Sequence, residues 1–397
     1  MNRRSLLATT VGLLTASSAG CLRLSSGETA AVTPSEAGTV EQTDSTDEET
    51  SGTITGAPMF QYDAANSGTS PDETGPQTSV SEQWSFETSG TVQSSPVVVD
   101  GTVYVGSGEG KVYAVSADDG SKQWEYETDE WAKMSPAVVE GTVYVGSGND
   151  NVYAVSADDG TEQWKYETLG AVEASPTVVD GTVYVGSDDS VVYALSAADG
   201  TKQWEYDTGL YVKSSPAVVD DTVYVGSTDG KVYALSADDG SKRWSSDIGG
   251  AIYTSPTVVD GTVYVGIRNN KLLALSADDG TKQWEYETGG AVMHSPAVVN
   301  GYVYVGSGDS NVYALSATDG SVQWSYEAGD SVASSPAVID GTVYVIDSNY
   351  DVFAVSVADG QRQWLFEGGG VVSTSPVVLD NTVYVGTFDG VIALSEQ

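Results

Sequence analysis

The stretch that decides the fold is Ala114-Val-Ser-Ala-Asp-Asp-Gly-Ser-Lys-Gln-Trp124, because close copies of it return along most of the chain. Its tryptophan recurs at intervals of 40 residues, and a Ser-Pro pair recurs in step with it. A fixed period of this length indicates a solenoid or a propeller built from repeated units. The tryptophans are Trp84, Trp124, Trp164, Trp204, Trp244, Trp284, Trp324 and Trp364, and the prolines are Pro96, Pro136, Pro176, Pro216, Pro256, Pro296, Pro336 and Pro376.

Each unit divides into four short strands, here named A to D. In the first unit, strand A follows Ser95, strand B covers 102–105, strand C covers 112–115 and strand D covers 122–126. Valine-rich runs that are apolar on both faces are typical of strands buried on both sides, and Asp-Gly pairs supply the turns. Because a proline in every strand A would interrupt an interior ladder, we expect strand A to be innermost, with its free edge lining a central channel.

Counting the units predicts a closed ring. Seven units are complete, whereas the eighth begins at Pro376 and lacks strand D. A sequence typical of strand D stands alone around Trp84, before the first strand A. We therefore predict an all-β fold, an eight-bladed β-propeller of four-stranded antiparallel blades in which the N-terminal strand completes the last blade.

The segment before the repeats divides into three parts. Arg3 and Arg4 precede an apolar run that is too short to span a bilayer, and the run ends at Cys21, so residues 1–24 are predicted to be a twin-arginine export signal with a lipobox whose cysteine is lipidated. Residues 25–57 are rich in Ser, Thr and Glu and are predicted to be a disordered tether. Residues 58–80 are predicted to be an ordered strap over the propeller, which completes a domain covering 58–397.

The charge is strongly acidic, with 16 basic and 56 acidic residues and a formal net charge of −40. Such a chain has no basic stripe with which to neutralise phosphates, so a nucleic-acid partner is not expected. Self-repulsion of this size is relieved by high salt, which favours a halophilic source for the protein.

The repeated pattern Ala-x-x-x-x-x-Gly-x-x-x-Trp, as in Ala114, Gly120 and Trp124, resembles the tryptophan-docking motif of pyrroloquinoline-quinone-like eight-bladed propellers. The resemblance covers the chain from residue 83 to its C-terminus. It implies that each of the eight repeated tryptophans packs between adjacent blades. This sequence has Ser116 and Asp119 where the family often has Asp and Thr, so the hydrogen bonds of the motif need not be the usual ones.

That family has two branches with different functions. The quinoprotein dehydrogenases are similar but longer chains, with a disulfide between adjacent cysteines, a calcium ion held by carboxylate and amide ligands, and a catalytic Asp. The lipoprotein BamB and its relatives are scaffolds without a cofactor. Cys21 is the only cysteine, and His294 is the only histidine, so neither that disulfide nor an ordinary zinc site is expected. The resemblance therefore favours a BamB-like scaffold over a quinoprotein-like dehydrogenase that binds pyrroloquinoline quinone and calcium.

Alternating strand direction places the A–B and C–D turns on one face of the ring and the B–C and D–A loops on the other. The first, which we call the turn face, repeats with few changes. The second, which we call the variable face, carries aromatic, methionine and charged residues of the kinds found in protein interfaces. The predicted interaction residues are Trp131, Lys133, Met134, Glu173, Tyr211, Lys213, Tyr253, Met293, His294, Arg268 and Tyr350.

Two alternatives for this face remain open at the level of sequence. The loops can have drifted without selection, with aromatic side chains that only fill the channel. Lys133, Lys213 and His294 can form a cationic spot that accepts an acidic ligand.

Calcium is conceivable at Asp188 and Asp189 or in the turns that contain Asp119, although no EF-hand spacing is present.

These observations predict a monomeric, non-enzymatic binding scaffold with no cofactor, whose partner is an unidentified protein or surface glycan. A carbohydrate-binding or small-ligand-binding propeller is a further alternative. The expected location is the outer face of the cytoplasmic membrane of a salt-loving archaeon, with contact to the membrane only through the lipid at Cys21.

Overall fold

The computed structural model describes residues 56–368 and 374–397, and these residues belong to one compact unit. The predicted export signal, the lipobox with Cys21 and most of the predicted tether lie outside the described residues. Among the residues that are described, no helix is long and apolar enough to cross a membrane.

The described chain is built from 33 strands, most of them three to six residues long. In chain order they are β1 (Gly56–Ala57), β2 (Val80–Glu87), β3 (Val97–Val99), β4 (Thr102–Gly106), β5 (Lys111–Ser116), β6 (Lys122–Glu127), β7 (Ala137–Val139), β8 (Thr142–Gly146), β9 (Asn151–Ser156), β10 (Glu162–Glu167), β11 (Thr177–Val179), β12 (Thr182–Gly186), β13 (Val191–Ser196), β14 (Lys202–Asp207), β15 (Ala217–Val219), β16 (Thr222–Gly226), β17 (Lys231–Ser236), β18 (Lys242–Asp247), β19 (Thr257–Val259), β20 (Thr262–Ile267), β21 (Lys271–Ser276), β22 (Lys282–Glu287), β23 (Ala297–Val299), β24 (Tyr302–Gly306), β25 (Asn311–Ser316), β26 (Val322–Glu327), β27 (Ala337–Ile339), β28 (Thr342–Ile346), β29 (Val352–Ser356), β30 (Arg362–Phe366), β31 (Val377–Leu379), β32 (Thr382–Thr387) and β33 (Gly390–Glu396).

These strands form eight antiparallel sheets, each with the predicted order A, B, C, D. In the first blade, Tyr104 of strand B pairs with Ala114 of strand C, and Ala114 pairs in turn with Trp124 of strand D. Strands B and C are buried on both faces, which explains their valine-rich sequences. The four-stranded repeat predicted from the sequence is confirmed.

The ring closes as predicted. The last sheet has the order β2, β33, β32, β31, so the N-terminal strand supplies strand D of the eighth blade. Trp84 of β2 pairs with Ala393 of β33, in the register that Trp124 and Ala114 have in the first blade. Joining the two ends of the repeat region in one sheet leaves no unpaired outer strand in that blade.

Each repeated tryptophan lies between its own blade and the next. The Trp84 Nε1–H donates to the Ala117 carbonyl of the following blade at 2.8 Å, and the Trp84 ring lies over Gly120. A tyrosine of the same blade packs beside the ring, as Tyr104 does beside Trp124 with centroids 5.9 Å apart. These contacts join each of these tryptophans to the following blade. Six further tryptophans, the exception being Trp364, donate to the residue 33 positions later.

The substituted motif positions keep local hydrogen bonds. The Ser116 hydroxyl accepts the Asp118 N–H at 3.3 Å, and the Asp119 carboxylate accepts the Ser121 N–H at 3.0 Å. These contacts hold the turn around Gly120, whose φ of +69° favours glycine.

Trp364 has a different acceptor because no C–D turn joins β33 to β2. Its Nε1–H donates to the Pro76 carbonyl at 2.9 Å, and the Tyr344 hydroxyl donates to the same oxygen at 3.1 Å. Gln77 continues this contact by accepting from the Thr342 hydroxyl at 3.2 Å. The end of the predicted strap therefore replaces the missing turn of the eighth blade.

Residues 58–69 of the predicted strap, together with β1, contact the innermost strands of the channel instead of lying over the fold. We call residues 56–69 the plug. Every innermost strand is held by it: β1 pairs with β3 through Ala57 and Val98, and in the other seven blades the N–H of the equivalent residue donates to a plug atom. These pairs are Val138 to Pro58 O, Val178 to Met59 Sδ, Val218 to Ala64 O, Val258 to Ala65 O, Val298 to Ser67 O, Val338 to Gly68 O and Val378 to Tyr62 Oη.

The prediction of a free inner edge was therefore wrong. Strand A is innermost, as expected, but its N–H groups are paired, because a buried backbone donor without an acceptor is costly. The plug also begins earlier than the strap predicted from residue 58, since β1 includes Gly56 and Ala57. Within the plug, the Asp63 carboxylate accepts the N–H groups of Ala65 and Ser67, which fixes its tight turn.

Candidate binding site at the variable face

The plug leaves a cavity of about 180 Å³ on the side of the variable face. Its floor includes Phe60 of the plug. Around the wall runs a ring formed by the serine that precedes the proline in each blade. The eight serines are Ser95, Ser135, Ser175, Ser215, Ser255, Ser295, Ser335 and Ser375.

The serines are linked head to tail around the channel. The Ser135 N–H donates to Ser175 Oγ at 3.1 Å, and the same contact joins successive blades up to Ser375, whose N–H donates to Ser95 Oγ at 2.9 Å. Seven of the eight hydroxyl oxygens, those other than Ser135 Oγ, therefore accept a backbone proton. None of the eight hydroxyls donates its own proton to an acceptor within the described residues, so the ring offers hydroxyl donors to the cavity.

Above the serine ring the wall includes Lys133, Lys213, Tyr253, Met293 and His294. No Asp or Glu is among the described residues that line the cavity. This lining is unusual in a chain with 56 acidic residues, and it makes the cavity a local exception to the negative charge of the protein.

The three basic residues of the wall differ in their ion pairing and in their protonation. Lys213 forms ion pairs with Glu173 and, at 3.1 Å, with Asp188. Burial lowers the pKa of Lys213, but its hydrogen bonds to these two carboxylates outweigh burial and leave the pKa raised. Burial lowers the pKa of His294 to about 4, so its imidazole is neutral at neutral pH. The cationic spot expected from the sequence is therefore centred on Lys133, whose ammonium makes no ion pair with a described residue.

Three of the predicted interaction residues are aromatic rings that carry a cation. The Lys133 Nζ lies 5.4 Å from the ring centroid of Trp131, and the Lys213 Nζ lies 5.7 Å from that of Tyr211. The Arg268 guanidinium lies 4.9 Å from the Tyr253 ring. Each pair holds a long basic side chain against a ring at the mouth of the channel.

Three exposed apolar residues lie in two successive D–A loops of the same face. Leu169 is 87% exposed, Leu210 is 49% exposed and Tyr211 is 50% exposed. We call these three residues, with the half-buried Trp131, the apolar arc. Trp131 lies against Gly148, where a Cβ would stand only 2.2 Å from the indole Cε2.

The sequence interpretation found Trp131 and Tyr211 but missed the two leucines of the arc. A comparison of the repeats shows that both leucines are unusual at their positions. At the positions equivalent to Leu169, the other units have Gly, Ser or Asp, and at those equivalent to Leu210 they have Gly, Glu or Asp. A large apolar residue at an exposed loop position that is otherwise small or polar marks a departure from the repeat.

Other predicted residues lie in separate places on the variable face. Tyr350 packs edge-on against Phe388, with centroids 5.2 Å apart, in the seventh and eighth blades. Met134 and Met293 line the cavity. The predicted interaction residues therefore divide between the cavity wall, the apolar arc and the Tyr350–Phe388 pair, while Glu173 and Arg268 contact the wall residues Lys213 and Tyr253.

Several B–C loop residues hold the loops together. The Asp189 carboxylate accepts the Tyr193 hydroxyl at 2.6 Å and the Leu169 N–H at 2.8 Å, which joins two loops. Glu109 and Asp309 have equivalent tyrosine partners. The calcium hypothesis finds no support in this geometry, and no group of three or more His, Cys, Asp or Glu residues able to hold a metal occurs in the described chain.

A quinone cofactor with calcium does not fit the cavity. The described lining has no carboxylate to serve as a calcium ligand or as a catalytic base. The volume of about 180 Å³ is also below the roughly 300 to 1,000 Å³ of usual small-molecule sites, whereas pyrroloquinoline quinone is a fused three-ring molecule.

The fold and the repeated tryptophan contacts define the class of protein: an eight-bladed propeller with pyrroloquinoline-quinone-type repeats. The sequence profile of the family described as outer membrane protein assembly factor BamB matches residues 77–135, 129–251, 211–295 and 288–396, and the chain belongs to that family.

Solved structures from both functional branches share this fold. BamB from Moraxella catarrhalis has 21% sequence identity and a TM-score of 0.69, over 80% of this chain and 97% of that one. The quinohemoprotein alcohol dehydrogenase from Comamonas testosteroni has 16% identity and a TM-score of 0.73, over 86% of this chain and 81% of that one. A europium-containing methanol dehydrogenase has 15% identity and a TM-score of 0.74, over 85% of this chain and 90% of that one. No curated protein matches the chain. At these identities the similarity concerns the fold, so the choice between branches depends on the site.

Proposed function

We propose that the protein is a non-enzymatic scaffold that binds a protein partner through the apolar arc of its variable face. The observation that carries this proposal is the exposure of Leu169, Leu210 and Tyr211, where the other units have Gly, Ser, Asp or Glu at the positions equivalent to the two leucines. Exposed apolar residues in successive loops of a rigid scaffold favour a binding surface. Membership of the BamB family is consistent with this role.

The proposal includes the location of the protein. The twin arginines and the lipobox favour export followed by lipidation of Cys21, with the propeller held outside the cytoplasmic membrane. In that position the variable face meets other proteins of the cell surface. The cavity lining described above supports a binding role and gives no support to a dehydrogenase.

Photo-crosslinking from two exposed tyrosines tests the proposal. Tyr211 is 50% exposed on the variable face, and Tyr302 is 38% exposed on the turn face, so each can be replaced by a photoreactive residue in otherwise identical chains. In intact cells we expect a discrete protein adduct from position 211 and none from position 302. The same adduct from both positions, or no adduct from position 211, would refute the proposed surface.

Two controls complete that experiment. Leu169→Asp in the chain with the photoreactive residue at 211 is expected to reduce the adduct strongly, because it places a charge in the apolar arc. Cys21→Ala is expected to release the protein into the medium, since the lipid would be its only attachment to the membrane.

We also propose that the protein is adapted to high salt, and we expect its melting temperature to fall when salt is reduced from molar to about 0.1 M. The screening length grows from about 3 Å to about 10 Å over this range, so carboxylate repulsion acts over longer distances. An unchanged melting temperature would contradict the adaptation.

A quadruple variant isolates the charge effect. Asp118, Asp158, Asp238 and Asp278 are exposed and their carboxylates accept no hydrogen bond within the described chain. Replacing all four with Asn should make the melting temperature less dependent on salt while leaving its value in molar salt nearly unchanged.

A further inference from the structure

We propose that the cavity inside the serine ring binds a small organic carboxylate. This ligand site lies in the channel rather than on the apolar arc, and it does not depend on the protein partner proposed above. Three features of the cavity point to this ligand: its charge, its hydrogen-bond donors and its closed lower end.

The charge of the cavity favours an anion. In a chain of net charge −40, the described lining contains two lysines and no carboxylate. Lys213 is matched by Glu173 and Asp188, so its charge is balanced locally. Lys133 has no carboxylate partner among the described residues, and its side chain reaches the cavity wall from the Trp131 ring. An anionic ligand would supply the missing opposite charge.

The donors of the cavity favour a ligand with several acceptor oxygens. Seven links of the serine ring occupy hydroxyl oxygens with backbone N–H groups, so the hydroxyl protons remain to be donated. His294 lines the same wall, and its ring makes no hydrogen bond within the described residues. Its neutral imidazole can donate one further hydrogen bond. A carboxylate has two oxygens and about four lone-pair sites, which suits a ring of donors better than a cation or an apolar group does.

The shape of the cavity limits the size of the ligand. The plug bonds to the inner strands of the channel and contributes Phe60 to the cavity lining, so we expect a ligand to enter from the variable face. A volume of about 180 Å³ corresponds to about six water molecules at roughly 30 Å³ each. A carboxylate of three to five carbon atoms is of this size. Met134, Met293 and Tyr253 offer apolar contacts to its carbon chain.

The test is calorimetric titration of the full propeller, in molar salt, with lactate, succinate and malate. Erythritol is the matched neutral probe, because it resembles malate in size and lacks the carboxylates. We expect at least one of the three carboxylates to bind at one site per chain and erythritol not to bind. Failure of all three to bind, or equal binding of erythritol, would overturn the proposal.

A pair of charge reversals locates the binding. Lys133→Glu should weaken the binding of the carboxylate at least tenfold, because it places a like charge in the cavity wall. The matched control is Lys202→Glu, which reverses an exposed lysine that pairs with Glu205 on the outer strand of a blade. The control should leave the affinity unchanged. Equal affinities for the two variants would overturn the proposed site, and thermal unfolding of both would show that each remains folded.

Discussion

A chain that begins at Pro76 is expected to be less stable than one that begins at Gly56 by about 4 to 8 kcal/mol, since each of the eight inner strands loses its contact with the plug at about 0.5 to 1 kcal/mol per strand. Both chains keep β2 and the Pro76 carbonyl that Trp364 and Tyr344 use, so the ring can still close. The difference therefore reports the plug together with residues 70–75, whose Thr74 carbonyl accepts the Asn381 N–H. The measurement is urea denaturation in molar salt, followed by tryptophan fluorescence.

A single substitution tests the contribution of the plug to stability without shortening the chain. The Asn66 side chain is 1% exposed and donates to the carbonyls of Pro216 and Pro256, at 3.3 and 3.0 Å. Asn66→Ala leaves both acceptors without this donor and should cost about 1 to 3 kcal/mol. If both the truncated chain and Asn66→Ala unfold at the same urea concentration as the parent, the plug is only a filler and does not hold the blades.

Gly200→Ala is expected to destabilise the propeller by about 3 kcal/mol or more, with contributions from backbone strain and from displacement of a docking tryptophan. The φ of Gly200 is +70°, and a Cβ there would lie 2.6 Å from Trp164 Cε3. Trp164 cannot move away easily, because its Nε1–H donates to the Ala197 carbonyl at 2.8 Å and Tyr144 packs beside it.

Gly181→Ala is the matched control. Its φ is +69°, almost the same as that of Gly200, but a Cβ at Gly181 would meet nothing within 4 Å. This variant should be destabilised only by the strain of a left-handed backbone conformation at alanine, by about 1 to 2 kcal/mol. Equal losses for the two variants would mean that the tryptophan contact contributes nothing at this position, contrary to the docking role.

The fold was predictable because its determinants are local and repeated. The spacing of Trp84 to Trp364 gives the number of blades, and the isolated strand around Trp84 shows how the ring closes. The prolines correctly place strand A at the centre, since each lies immediately before a short inner strand.

The plug was not predictable in the same way. Its acceptors for the inner strands are mostly backbone carbonyls, as at Pro58, Ala64 and Gly68, and such contacts leave little trace in side-chain patterns. The segment also has no period, so nothing aligns it with the blades. The sequence shows that residues 58–80 carry aromatic and turn residues, but not that they enter the channel.

The site was predictable in part. Lys133, Lys213 and His294 do meet at one cavity, as their equivalent positions in the D–A loops suggest. Their charge states depend on neighbours that are distant in sequence, since Asp188 is 25 residues from Lys213. The serine ring was visible as the Ser-Pro repeat, yet its hydroxyls converge only when the ring is closed.

The most direct test of the central claim is the dissociation constant of the partner captured from position 211, measured for two double variants in molar salt. Leu169→Ala with Tyr211→Ala removes two residues of the apolar arc, whereas Val322→Ala with Tyr302→Ala removes two exposed apolar residues elsewhere on the propeller. We predict a loss of at least tenfold in affinity for the first pair and no change for the second. Equal affinities would contradict the claim that this face of the propeller is a binding surface.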